Sequence, residues 1–376
     1  MGTIWAVWRA SRSGDGRWWL LAGVFAGLGL LGKYSAVLLG PVVLLYLAAT
    51  PSQRHWLRSP WPWLALLVAV AMFAPVLWWN AQNHWASFAF QGSRRVGQMA
   101  SFQPRYFVLL LLTQALLVTP WLFGLSLRAF AHATRETFGG RADARTLLLL
   151  ASAAVPLLLF SAVSLRSLVK LNWLAPAWWS LIVLGMHRLL EHGASTRRLK
   201  LGMGSSAAIL LLAALAMLTP KLPLRGLNTW SGWDDAARHV QLQLDAAKAR
   251  GEQAFVFAPN YKISSLLRFY LPGQPRTYAQ DIYGAPALQF DHFPLHGDLE
   301  GATGILVLSD QRQSRLDQDR VRPYFDTLQK VDTIETRAFG RVTRRVEIWR
   351  GSGYKGHPRL LGTQGASANS AGPAGT

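Results

Sequence analysis

The sequence contains no cysteine. That excludes a disulfide framework, a thiolate nucleophile and any cysteine-ligated metal, and it leaves the redox compartment unread. Carboxylates are almost missing from the first 219 residues, which hold only Asp15, Glu136, Asp143 and Glu191 of the chain's 19 acids. No glycine-rich phosphate loop occurs, since Leu271-Pro-Gly-Gln-Pro275 reads as a turn. The apolar opening, Met1 to Trp8, is too short to span a bilayer and lacks a small-residue cleavage site behind it, so it reads as the tail of a helix and not as a signal peptide. No internal repeat of useful length is visible.

What is present divides at Thr219-Pro220. Residues 1–219 carry most of the long apolar runs, whereas residues 220–376 carry the other fifteen acids and read as soluble protein. Apolar segments at Trp18–Leu31, Ser35–Ala49, Pro60–Trp79, Phe107–Leu127, Thr146–Val163, Asn172–Leu190 and Leu201–Thr219 give seven expected crossings, the first two forming a hairpin around Gly32-Lys33-Tyr34. The formal charge of +20 invites a nucleic-acid reading. Its basic residues, however, sit in short loops between apolar runs, where they orient helices and meet anionic head groups, so no nucleic-acid partner is expected. Thirteen of them, from Arg9 to Lys200, fall on one side, and six (Lys33, Arg94, Arg95, Arg105, Arg166, Lys170) fall in the loops of the other. The excess places the first set in the cytoplasm and predicts an outer rim without a carboxylate.

Beyond a Pro-rich linker starting at Pro220, periodicity predicts helices at Trp233–Arg250 and Tyr261–Tyr270. Strands are predicted at Ala254–Ala258 and Gly304–Ser309, and a hairpin of Val331–Ala338 with Arg341–Arg350 around Phe339-Gly340. The expectation is an extracytoplasmic α/β domain over 220–361 and a disordered Gly/Ser/Ala-rich tail over 362–376.

The stretch around which the rest is organised is Asn80 to Gln91, polar and aromatic at once, where an apolar run leaves the bilayer. With the other outer loops it assembles Lys33, Tyr34, Asn80, Gln82, His84, Trp85, Phe88, Gln91, Arg94, Arg95, Lys170, Asn172 and Trp173. Cations at head-group level suit a lipid-borne phosphate, and aromatics suit a sugar face or an isoprenoid chain. The same residues also suit plain interfacial anchoring, with Lys33 snorkelling. His84 has no second histidine or carboxylate in the neighbouring outer loops, so no cofactor is expected and a divalent metal there is the weaker alternative. Activating an acceptor requires a base, and only His84, or an acid from the second domain such as Asp281, is offered.

Gly29-Leu-Leu-Gly-Lys33-Tyr34, Pro75-Val-Leu-Trp-Trp-Asn80 through Gln91, Lys170-Leu-Asn-Trp-Leu-Ala-Pro176, and Phe257-Ala-Pro-Asn-Tyr261 through Phe269-Tyr270-Leu-Pro-Gly-Gln-Pro275 form an ordered series. In this series the chain resembles bacterial membrane glycosyltransferases of family 39, in the superfamily of dolichyl-phosphate-mannose protein mannosyltransferases and the aminoarabinose transferases of lipid A. The resemblance implies a polytopic helical membrane protein of GT-C type in the cytoplasmic (inner) membrane. It also implies a polyprenyl-phosphate-linked sugar donor, with inverting transfer at the outer face to a lipid, glycan or protein acceptor. Lys33 and Lys170 would lie near the lipid phosphate, and Asn80–Gln91 would roof the cavity. Family members begin with further helices and an outer Asp-Glu pair whose aspartate is the expected base. The expectation is therefore the C-terminal portion of such an enzyme, with little transfer activity alone. The alternatives are an accessory binder of lipid-linked sugar working with a partner subunit that supplies the base, and a lipid flippase. A flippase calls for inverted repeats and intramembrane charge that the sequence does not display.

Overall fold

The computed structural model describes residues 1–92, 102–193, 195–218, 232–293, 299–309, 314–338 and 341–356. The chain divides into two compact units, Met1–Leu211 and Leu212–Thr376.

The first unit is helical. It contains α1 (Gly2–Ser13), α2 (Arg17–Gly32), α3 (Leu39–Ala49), α4 (Trp61–Gln82), the short α5 (Ala86–Gln91), α6 (Arg105–Val118), α7 (Pro120–Phe138), α8 (Ala144–Ser164) and α9 (Ala175–Glu191). Most of α10 (Thr196–Leu218) belongs to it as well. A 3-10 turn, Tyr34–Leu38, joins α2 to α3. Helices α4 and α8, and residues Thr196–Ala216 of α10, are long and apolar enough to cross a membrane. Their outward apolar side chains fit a lipid-facing surface. Glycine spacing sets the packing of α2 on α4: a Cβ at Gly23 would lie 2.4 Å from the Ala65 carbonyl, and one at Gly27 2.8 Å from Met72 Cβ. Small residues one turn apart thus let two backbones approach.

One expected span is corrected. Phe107–Leu127 is not one straight helix, because α6 and α7 meet at an angle of 114°. Pro120 brings no N–H to the ladder, and Thr119 stands at φ 74, a backbone region that non-glycine residues rarely occupy. The buried Thr119 hydroxyl pairs with Ser206 Oγ at 2.6 Å, which satisfies a polar group at the break. Counting that bent pair as one span gives up to four crossing candidates among the described residues; α2 and the stretch Tyr34–Ala49 are shorter apolar segments. Asn172–Leu190 becomes a 3-10 turn, Leu171–Trp173, followed by the 17-residue α9.

In the second unit, α11 (Trp233–Ala249) and α12 (Tyr261–Tyr270) accompany a sheet of β1 (Ala254–Phe257), β2 (Thr277–Tyr278), β3 (Thr303–Ser309), β4 (Phe325–Ala338) and β5 (Arg341–Tyr354). Strand order is β2-β1-β3-β5-β4, with β1 parallel to β2 and β3, and β5 antiparallel to β3 and β4. Trp233, Val240 and Leu267 pack on one side with Val256, Ile305 and Ile348, while Phe257, Tyr278, Leu306, Phe325 and Tyr354 form a second core. Helix α13 (Ser314–Val321) precedes β4. The Pro220 linker, the Phe339-Gly340 turn and the 362–376 tail lie outside the described residues.

Candidate functional site

Lys33 is the extended residue that ends α2, at φ −162, and its side chain is exposed. The turn behind it presents Tyr34, whose hydroxyl lies 2.9 Å from Ser87 Oγ. Ser87 Oγ donates its own proton to Asn80 Oδ1 at 2.7 Å, so Tyr34 is the donor to Ser87. The Tyr34 ring lies nearly parallel to Phe88, 5.4 Å away, and edge-on to Phe73 at 5.6 Å. The α2–α3 turn is thereby fastened to the Asn80–Gln91 stretch by a hydroxyl chain and one ring contact, and to α4 by the other.

Asn80 is fully buried, and its carboxamide is spent internally. Nδ2 donates to the Val76 carbonyl at 2.9 Å, and Oδ1 accepts from both the backbone and the hydroxyl of Ser87. It braces the loop. Gln82, His84, Trp85, Phe88 and Gln91 are exposed. His84 and Trp85 both take left-handed backbone angles, φ 51 and φ 56, which costs about 1–3 kcal/mol each for such residues. The turn is closed by Trp85 N–H donating to the Asn80 carbonyl at 2.8 Å. Arg94 and Arg95 lie outside the described residues.

Lys170 begins the turn Leu171–Trp173, with Lys170 and Asn172 exposed. Sequence reasoning overlooked the residue that holds this turn. Gln114, buried in apolar α6, donates from Nε2 to the Leu171 carbonyl at 2.9 Å and accepts from the Trp178 indole N–H at 2.7 Å. Its only sequence signal is an amide inside an apolar run. Beside it lies a groove of about 490 Å³ lined by Tyr106, Leu109, Leu110, Thr113 and the Leu168–Asn172 segment. A second, open groove of about 830 Å³ runs along α4 past Trp78, Gln82 and Trp85. Trp173 packs on Phe160 at 5.1 Å. Leu38, Val169 and Trp173 all pack against one cluster built on Phe160, Leu174 and Trp178, so the turn following Lys33 and the turn of Lys170 share a base. Gln103 N–H donates to the Leu165 carbonyl at 2.7 Å, bringing the entry to α6 to the same end.

The opposite set of loops is also gathered. Tyr46 donates to Ser11 at 2.9 Å, and Arg145 lies over the Trp8 ring and 3.0 Å from His187. Arg188 pairs with Glu136. Glu136 thus meets Arg188, and Glu191 meets His187 at 3.0 Å, away from the Lys33 and Lys170 turns.

No carboxylate stands in the Lys33, Asn80–Gln91 or Leu165–Trp173 segments, and no group of three metal-ligating side chains occurs among the described residues. Asp281, the acid expected to reach over, is buried inside the second unit, where its carboxylate accepts from the Ala279 N–H at 2.7 Å. Burial pushes its pKa up despite that bond. It lies within the 3-10 turn Gln280–Tyr283 and holds the Ala279 N–H that precedes it.

Residues 1–79 match the family model of dolichyl-phosphate-mannose-protein mannosyltransferase. The match runs from α1 to Trp79, takes in Lys33 and Tyr34, and ends one residue before Asn80. No curated protein and no solved structure matches the chain. With the apolar helices, the matched stretch points to a membrane glycosyltransferase of the GT-C kind.

Proposed function

We propose that the protein takes part in transfer of a sugar from a polyprenyl-phosphate-linked donor, at the outer face of a bacterial cytoplasmic membrane, with the Lys33, Asn80–Gln91 and Lys170 segments holding the donor. The observation that carries this reading is the Tyr34–Ser87–Asn80 hydrogen-bond chain, because it couples the turn inside the family match to the aromatic loop beyond it. In this reading Lys33 and Lys170 neutralise the lipid phosphate, worth more at a partly desolvated surface than in water. The groove beside Lys170 receives the isoprenoid chain, and Trp85, Phe88 and Trp173 line the sugar's side. The bond that breaks joins the anomeric carbon to the phosphate oxygen, and polyprenyl phosphate departs with the bonding pair held by the lysines. The acceptor oxygen attacks the opposite face and releases its proton to a base. His84, exposed on its strained turn, is the one candidate in the described part of this end.

The same absence of carboxylates favours a second reading, in which the chain binds lipid-linked sugar and a partner subunit supplies the base. Both readings take seven crossings and an outer second domain. Reconstituted full-length protein should bind labelled donor saturably. Lys170→Ala should weaken binding roughly 10- to 100-fold, the worth of a charge-assisted hydrogen bond. Unchanged affinity in both Lys33→Ala and Lys170→Ala would remove the phosphate site from the account.

A further inference from the structure

The orientation of α12 is strictly set by its packing on the sheet. Ser264 donates to the Tyr278 carbonyl at 2.7 Å, and Thr277 donates back to the Ser264 carbonyl at 2.8 Å. Ser264, Leu267 and Leu271 are buried against the sheet. With that side pinned, helical geometry turns Tyr261, Lys262, Ser265, Arg268 and Phe269 outward, and all five are exposed. Phe269 is 67% exposed, Tyr270 40% and Tyr261 38%. Three aromatic rings on one short helix leave apolar area in water that burial would otherwise stabilise. The charge is of one sign: no acid occurs between Glu252 and Asp281. Neither Lys262 nor Arg268 has an ion-pair partner among the described residues.

We propose that this face of α12 seats on an anionic phospholipid surface, with the Phe269, Tyr261 and Tyr270 rings at head-group depth and Lys262 and Arg268 against lipid phosphates. Aromatic rings favour that depth, and basic side chains beside them add attraction to anionic head groups. The tether keeps the surface within reach. Between Leu218, the end of the crossing candidate α10, and Trp233, the start of α11, lie 14 residues, which span at most about 50 Å when extended. The proposal requires only that the first unit lie in a membrane, and it stands apart from the transfer reading.

The absence of native cysteine makes the test direct. Full-length protein carrying Ser265→Cys, labelled with an environment-sensitive fluorophore, is placed in nanodiscs of phosphatidylcholine alone or with phosphatidylglycerol; Lys248→Cys on α11 is the control. A blue shift with quenching by spin-labelled lipid is expected at 265 only, stronger with phosphatidylglycerol and weakened by salt. Lys262→Glu with Arg268→Glu should lower the docked-to-undocked ratio by roughly 30-fold or more, from the usual contribution of two basic residues at such a surface. Phe269→Ser, which leaves both charges in place, should weaken docking without removing its salt dependence. Equal emission in both nanodisc types, or a shift produced by soluble oligosaccharide and not by lipid, would overturn the proposal.

Discussion

Gln114 ties three elements together through one carboxamide. Gln114→Leu keeps the volume but strands the Leu171 carbonyl and the Trp178 N–H. A loss of about 1–2 kcal/mol is expected, seen as a lower Tm in detergent, together with weaker donor binding as the Lys170 turn loosens. An unchanged Tm would mean water satisfies both groups. In the second unit, hydrogen bonds from Arg250 and Arg350 hold the Glu252 pKa down at about 2, with Thr303 adding another. A carboxylate with a depressed folded pKa contributes stability that is complete above its ordinary value near 4.5 and is lost as pH falls through about 2. Glu252→Gln should therefore destabilise the protein at pH 7 and close most of its gap to the parent near pH 2.5 in chemical denaturation. A gap independent of pH would contradict this role. The cationic residues Lys33 and Lys170 were readable because charge between apolar runs stands out. Gln114 and Ser87 were not, since their meaning depends on Leu171 and Tyr34, which lie more than 50 residues away.

At the level of elements, legibility followed how local the determining interactions are. Helix α12 occupies Tyr261–Tyr270 as expected, because Asn260 caps it by accepting from the Lys262 N–H at 2.9 Å and the apolar spacing is helical throughout. Helix α11 and strands β1 and β3 fall within a residue of expectation for the same reason. The break between α6 and α7 was missed. Hydropathy runs through Thr119-Pro120 without pause, and a proline inside an apolar helix is often accommodated, as Pro75 and Pro156 are here. The partner that makes the break tolerable, Ser206, comes from α10. Thr119→Val should cost about 1–3 kcal/mol, because it keeps the β-branched shape already held at positive φ but leaves the Ser206 hydroxyl unpaired. Thermal unfolding of that variant beside Ser206→Ala checks it, and a neutral outcome in both would show that the break is held elsewhere.

At the scale of the molecule, two chemistries share one chain. The first unit has four acids, none of them in the Lys33 and Lys170 turns, and pairs Glu136 with Arg188 and Glu191 with His187; the second mixes charges as a water-facing domain does. This distribution predicts topology. In intact spheroplasts, a membrane-impermeant maleimide should label Ser167→Cys and Lys248→Cys, and it should reach Ser52→Cys only after permeabilisation. The reverse pattern would invert the account. Handling of lipid-linked sugar at the end bearing Tyr34 is decided by following labelled polyprenyl-phosphate sugar on the full-length protein in nanodiscs. Saturable binding that needs Lys33 and Lys170 is expected, with polyprenyl phosphate released once an acceptor and any required partner are supplied. Absence of binding, or passage of intact donor across a vesicle membrane without cleavage, would contradict it.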